Sequence, residues 1–145
     1  MEKNLRIPSK DHLVNGIYII PIGIEVLGDG LFSGLPGDEI DYFDAHGIII
    51  PESVKHIGEY AFYDCFGNIN EIKLPSTIES IGESAFFALD GLKKIYVNSH
   101  LKSVGKYAFV NLDKDCELVF AKKEFYTPNL WHPEWNPHTK VVISE

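Results

Sequence analysis

The chain of 145 residues lacks the features that mark membrane-spanning, exported and disulfide-rich proteins. No apolar run reaches the roughly 18 residues that a membrane helix needs, so we expect a soluble protein. A secretory signal contains an apolar stretch of about 7 to 15 residues, and the charged first residues of this chain contain none. This predicts a cytoplasmic protein as written, or a cell-surface or secreted one if the chain is a fragment. Two cysteines, Cys65 and Cys116, are too few for a disulfide framework.

Positive charge is missing from the first third of the chain. From Asp11 to Val54 there are eight acids and no lysine or arginine, and this stretch accounts for the whole net charge of −8. Nucleic acids are bound through basic surfaces, so direct binding of DNA or RNA is disfavoured. An acidic field instead favours encounter with a basic protein surface. Acidity that serves only solubility explains the same composition.

What the chain does contain is an internal repeat. The segments IGEYAF at 57–62 and IGESAF at 81–86 differ at one position, and a proline stands seven residues before each glycine. The same frame continues in VNSHLKSVGKYAF at 97–109 and begins in IPIGIEVLGDGLF at 20–32. The glycines at 28, 58, 82 and 105 give periods of 30, 24 and 23 residues. The first period is longer because about six residues are inserted after the first copy.

Each column of the repeat predicts a local structure. Short β-branched runs come before the prolines, which is typical of strands that a proline ends. Apolar residues three and six positions after the proline are predicted to face inward. The glycine is predicted to turn the chain, and a short helical turn should follow it. One column is always phenylalanine and should form a stacked spine: Phe32, Phe62, Phe86 and Phe109.

A unit of 23 or 24 residues cannot bury its own apolar face, so neighbouring units must stack around one core. We therefore predict a single domain over residues 1–145, a β-rich solenoid of about four right-handed coils of parallel strands with short helical turns. Residues 1–16 are predicted to cap the first coil, and residues 17–121 to form the repeats. Residues 122–145, with Trp131 and Trp135, are predicted to be a C-terminal capping tail.

The inserted segment LPGDEIDYFDAHG at 35–47 is the first candidate binding site. Loops on a rigid scaffold often carry binding, and aromatic residues inside a charged rim resemble interface anchors. The candidate residues are Asp38, Glu39, Asp41, Tyr42, Phe43 and Asp44. The alternative is that the apolar residues of the segment only close a lengthened coil. Calcium binding is disfavoured, because the acids depart from the spacing of an EF-hand loop.

The outward face of the strands is the second candidate. Side chains alternate along a strand, so residues one and three before the proline position should point inward, and residues two before it outward. The predicted outward residues are Ile19, Ile49, Lys73 and Tyr96. Exposed apolar rows often mark partner sites. The alternative is that the N-terminal segment or the inserted loop covers Ile19 and Ile49.

No pattern of residues indicates catalysis. The six histidines share no column of the repeat, and the prolines between His132, Glu134 and His138 fit no helical metal-ligand spacing. Ser33 lacks the GxSxG arrangement of a nucleophile. Cys65 and Cys116 fall in apolar columns, which predicts inert buried thiols with raised pKa. We predict a protein that is not an enzyme and has no cofactor.

The repeat resembles the BspA-like leucine-rich repeat. The shared features are the apolar strand, the proline, the IG and AF pairs, and an apolar residue three positions after the phenylalanine. That last column holds Leu35, Cys65, Leu89 and Leu112. The resemblance covers about residues 17–143, includes the tail with its two tryptophans, and implies an α/β leucine-rich-repeat solenoid. Members are mostly large surface proteins of bacteria and some protists, implicated in adhesion and protein binding, with the strand face as the usual binding surface.

These features together predict a non-enzymatic protein–protein interaction module that uses the strand face and the acidic inserted loop. The expected partner is a protein with a basic surface, with no direct binding of nucleic acid and no membrane insertion. The alternative function is a small acidic intracellular inhibitor or decoy that blocks a basic nucleic-acid-handling protein.

Overall fold

The computed structural model describes residues 3–6, 9–32, 45–63, 68–89, 91–110 and 112–145. Its regular structure consists mainly of short strands. They are β1 Asn4–Leu5, β2 Leu13–Val14, β3 Ile17–Ile19, β4 Val26–Leu27, β5 Gly47–Ile49, β6 His56–Ile57, β7 Glu71–Lys73, β8 Ser80–Ile81, β9 Lys94–Val97, β10 Ser103–Val104, β11 Glu117–Phe120 and β12 Lys140–Ile143. Single 3-10 turns lie at Lys10–His12, Lys123–Phe125 and Pro128–Leu130. No described helix is long and apolar enough to cross a membrane.

Except for β2, which pairs antiparallel with β3, the strands stack in parallel on two sides of the molecule, as the repeat predicts. Strands β1, β4, β6, β8 and β10 form one continuous parallel sheet. On the other side, β2, β3 and β5 form a three-stranded sheet, and β7, β9, β11 and β12 form a four-stranded parallel sheet. The solenoid is therefore confirmed. It is longer than the four copies of the repeat, because strands before the first copy and after the last copy extend the sheets.

The core lies between the two sides and follows the columns of the repeat. The residues three and six positions after the proline are buried: Ile24, Val54, Ile78 and Leu101, then Leu27, Ile57, Ile81 and Val104. The predicted phenylalanine spine is confirmed, with successive ring centroids 5.3, 5.1 and 5.4 Å apart from Phe32 to Phe109. Tyr18 packs edge-on against Phe32 at one end of the spine, and Trp135 against Phe109 at the other.

The repeated glycine has a reason besides the predicted turn. A Cβ atom on Gly82 would lie 2.6 Å from the amide nitrogen of Glu59 and 2.7 Å from the carbonyl carbon of Gly58. The backbones of neighbouring coils therefore touch at the glycines, which leaves no room for a side chain. The left-handed residue comes two positions later, with φ of 57° at Tyr60 and 58° at Tyr107. The chain does turn from each glycine onward, since the Ala61 N–H donates to the carbonyl of Gly58 at 3.4 Å and the Ala85 N–H to that of Gly82 at 3.3 Å. The close approach of the neighbouring coils is the part that was not predicted.

The segment after the last repeat closes one end of the core. The indole N–H of Trp131 donates to the carbonyl of Leu101 at 2.8 Å, and the His132 N–H donates to the carbonyl of Val104 at 3.0 Å. Trp131 also stacks on Phe120, with ring centroids 5.9 Å apart. This segment covers the edge of the continuous sheet at β10, while its own strand β12 extends the other sheet.

Candidate functional site

On each of the two sheets of this side, the side chains two positions before the corner form a column. The register places Ile19 beside Ile49, and Lys73 beside Tyr96. The column continues through Val119 and Val142, and we call these six residues the outward row. Sequence reasoning missed the last two because they follow the last copy of the repeat. The short runs of three apolar residues in ELVF and KVVI were the signal that could have found these strands.

Part of the outward row is open to solvent. Ile19 is 38% exposed and Ile49 is 50% exposed, so the described part of the N-terminal segment does not cover them. Tyr96 is half-buried, and the ammonium of Lys73 lies 5.9 Å from the centroid of its ring. The row is thus largely apolar, with a cation beside its aromatic residue.

A column of alternating charge runs next to the outward row. Glu71, Lys94, Glu117 and Lys140 are in register, each two residues before a member of the row. The Lys140 ammonium lies 3.4 Å from the Glu117 carboxylate. Exposed pairs of this kind contribute little to stability. Their effect is to give the apolar row a polar border with no excess of either sign.

Two grooves open beside the row. A groove of about 410 Å³ lies at the carboxyl ends of the strands, lined by Tyr96, Val119 and Ala121 among others. A larger groove of about 640 Å³ lies between β5 and β7, with Ile49, Glu71 and Lys73 among its lining residues. We call it the split groove. It lies where the outward row passes from the three-stranded to the four-stranded sheet.

The split groove results from a missing ladder between successive coils. The carbonyl of Ile49 accepts the N–H of Ile20 at 3.1 Å, so the alternate residue Ile48 directs its N–H and C=O toward β7. The backbone N–H and C=O of Lys73 likewise point toward β5, because the Leu74 N–H donates to the carbonyl of Tyr96 on the opposite side at 3.0 Å. No described residue pairs with these groups of Ile48 and Lys73. On the other side of the molecule, β6 and β8 of the same coils are paired.

The acidic loop stays a prediction. Asp38, Glu39, Asp41, Tyr42, Phe43 and Asp44 all fall within 33–44, outside the described residues. Three other acids of the first third tie neighbouring coils together. Asp29 accepts the N–H of Glu59 at 2.9 Å, Glu52 accepts the N–H and the hydroxyl of Ser76 at 3.1 and 2.9 Å, and Glu25 lies 3.3 Å from Lys3. Part of the acidity therefore has a structural role that composition alone does not show.

Among the residues that the structure describes, no group of three or more histidine, cysteine or acidic side chains is placed to hold a metal ion. Nδ1 of His56 lies 2.7 Å from Oγ of Ser80, but this exposed pair sits on the open five-stranded sheet and lines neither groove. Burial, reinforced by the Asp113 carboxylate, raises the pKa of the Cys116 thiol to about 12. This thiol is protonated and unreactive at neutral pH, as predicted; Cys65 lies outside the described residues.

Comparison with protein families agrees with this architecture. A family model described as the BspA type leucine rich repeat region (6 copies) matches residues 41–127. Comparison with curated proteins and with solved structures gave no match. The matched segment is more than half of the chain; it begins before the strand β5 and ends after β11. This protein belongs to the BspA type leucine-rich-repeat family.

Proposed function

We propose that this protein is a non-enzymatic protein-binding module and that the outward row is its contact surface. Leucine-rich-repeat domains commonly mediate protein–protein interactions, and their scaffold is generally non-enzymatic. The observation that carries the proposal is the exposure of Ile19 and Ile49, side by side on a regular sheet. Two large aliphatic side chains in register gain free energy when a partner removes them from water.

The form of the surface suits recognition of a protein. Within each of the two sheets, strands about 4.8 Å apart hold their side chains in a fixed register, so little conformational entropy is lost on binding. Tyr96 supplies an aromatic side chain of the kind that dominates interface energetics. The alternating charges at Glu71 and Lys94 supply the polar rim that surrounds an apolar contact.

Substitution of Ile49 by glutamate tests the outward row. The change places a charge in the middle of the apolar contact and should weaken partner binding at least tenfold, a loss of about 1.4 kcal/mol. The fold should tolerate it, because Ile49 is half exposed. Partners captured from cells that express the protein are identified by mass spectrometry, and the affinity of each variant for the purified partner is then measured.

The matched control is Ile22→Glu. Ile22 is 87% exposed and lies at a corner, outside the outward row. The Ile22→Glu substitution adds the same charge and should leave the affinity for the partner unchanged. Equal affinities for the two variants would contradict the outward row as the contact surface, and circular dichroism checks that both are folded.

We further propose that the acidic loop steers a basic partner toward this face. The support is the run of eight acids without a base from Asp11 to Val54. Reversal of Asp38, Glu39, Asp41 and Asp44 to lysine should lower the association rate constant and weaken its dependence on salt, since steering is screened by ions. An association rate that does not change would rule out the loop while leaving the outward row standing.

The same acidity favours a second candidate function, an acidic inhibitor or decoy that blocks a basic nucleic-acid-handling protein. This function predicts that DNA or RNA competes with the protein for its partner, and that binding falls steeply with salt. Binding that is insensitive to both favours the ordinary protein-binding module. Titration of the purified complex with oligonucleotides separates the two.

A further inference from the structure

The two sides of the solenoid end differently after the last repeat. At the edge of the continuous sheet, the C-terminal segment covers β10, where the His132 N–H bonds to Val104 at 3.0 Å. Three residues after Val104, the Tyr107 N–H donates to the carbonyl of Glu134 at 2.9 Å. On the other side, β12 is the outermost strand of its sheet. No other described segment pairs with its free edge.

The backbone groups at this free edge can be assigned. The Ser144 N–H donates to the carbonyl of Phe120 at 2.9 Å, so Val142 and Ser144 direct their backbone groups toward β11. The alternate residues Val141 and Ile143 direct theirs away from the sheet. Among the described residues, nothing accepts from or donates to them. An open edge with β-branched residues is a template for pairing with another strand.

We propose that β12 pairs with β12 of a second copy of this chain. The two strands run antiparallel about a twofold axis at Val142. Val141 of one copy then faces Ile143 of the other, twice, and each facing pair exchanges two N–H···O=C bonds. The two Val142 side chains meet at the axis in a non-hydrogen-bonded pair, where Cα atoms come within about 4.5 Å. The two four-stranded sheets become one sheet of eight strands.

The distribution of charge favours a second copy as the occupant. A net charge of −8 opposes self-association in general. The excess lies between Asp11 and Val54, in the first coils, whereas residues 55–145 hold twelve acids and ten bases. Because β12 is at the edge of its sheet farthest from β7, the strand that lies next to β5, pairing through β12 keeps the acidic ends of the two copies apart.

The local side chains are also compatible with a twofold axis at Val142. Lys140 of one copy faces Ser144 of the other, next to Glu145 of that copy, so no like charges lie opposite each other. Ile143, which is 37% exposed in the single chain, becomes covered by the second strand. The outward row continues across the axis from one copy to the other. The pairing does not depend on the role of that row in binding a partner.

The test is the molecular mass in solution as a function of concentration. Four paired residues bury far less than the roughly 1,600 Å² of a standard interface, so we expect a weak dimer. Sedimentation of the intact chain from about 1 µM to 1 mM should therefore show a mass that rises with concentration from 16.4 kDa toward twice that value. In the dimer, the amides of Val141 and Ile143 should gain protection from hydrogen exchange. A chain that stays monomeric over the whole range would overturn the proposal.

Ile143→Pro locates the interface. Proline removes an N–H that the single chain leaves open to solvent, so the monomer should still fold, but its ring blocks the approach of a second strand. This variant should be monomeric at every concentration, while the matched variant Ile143→Thr, which keeps the N–H, should dimerise. If Ile143→Pro does not fold, Val142→Lys, which brings two charges together at the axis, takes its place. If folded Ile143→Pro or Val142→Lys protein formed dimers at the same concentration as the wild-type chain, the proposal would be overturned.

Discussion

Replacement of Phe86 by alanine is expected to lower the free energy of unfolding by about 3–5 kcal/mol. Phe86 is fully buried, and its ring stacks on Phe62 at 5.1 Å and on Phe109 at 5.4 Å. Each neighbouring ring is held by its own coil, so the coils cannot close around the space that the missing ring leaves. The loss therefore includes the cavity as well as the transfer of the side chain. Urea unfolding followed by circular dichroism measures it.

Phe87 provides the matched control within the same dipeptide. Its side chain is half-buried and stacks on Tyr63 at 5.3 Å, at the surface of the solenoid. Phe87→Ala should cost about 1 kcal/mol, the order of an aromatic pair beyond its buried area. If Phe86→Ala cost no more than Phe87→Ala, the spine would not be the centre of the core.

Gly82→Ala is expected to destabilise the fold by about 1–3 kcal/mol although it adds a single methyl group. The new Cβ atom would lie 2.6 Å from the backbone nitrogen of Glu59, and backbone cannot move aside as a flexible side chain can. The Gly82 N–H also donates to the carbonyl of Ile57 at 2.8 Å. The two coils can therefore separate only by weakening the bond that joins them. The midpoint of thermal unfolding reports the loss.

Gly47→Ala is the control for this substitution. Gly47 lies in strand β5, and the nearest atom to its added Cβ would be Cγ1 of Ile17 at 3.6 Å, an ordinary contact. Alanine there should be neutral or slightly stabilising, since it restricts the unfolded chain. Equal losses at the two glycines would show that close approach of the coils does not explain the repeated glycine.

The repeat makes most of the fold predictable from the sequence. Proline, the two inward apolar positions and phenylalanine act locally, and their recurrence predicts both the stacking and the spine. The close approach of the coils at the glycine was not predicted. Recurrence of glycine shows that a side chain does not fit there, but it does not show whether a turn or a neighbouring backbone excludes the side chain. The left-handed conformation of Tyr60 and Tyr107 has no signature in sequence, since such residues rarely adopt it.

The candidate surface was predicted in part. Strand alternation places Ile19, Ile49, Lys73 and Tyr96 in one outward column, and the register agrees within each sheet, for Ile19 with Ile49 and for Lys73 with Tyr96. Val119 and Val142 were not predicted to belong to the surface, because they lie after the last copy of the repeat. The break between β5 and β7 was also unpredictable, because the coil that joins them has the ordinary period of 24 residues. Hydrogen bonding between coils depends on their relative height and tilt, which a pattern of residue types does not encode.

The split groove has a mechanical consequence. On one side of the solenoid, β6 and β8 are joined by a ladder, and on the other side β5 and β7 are not. A change in the angle between β5 and β7 would break no backbone hydrogen bond of the strand face, but the hydrogen bonds of Ser76 with Glu52 and of Thr77 with Val54 at the adjoining corner oppose it. Such a change would alter the separation of Ile49 and Lys73 while every neighbour within each sheet keeps its register. The resistance of the strand face to bending at this level therefore depends on side-chain hydrogen bonds and core packing rather than on a backbone ladder.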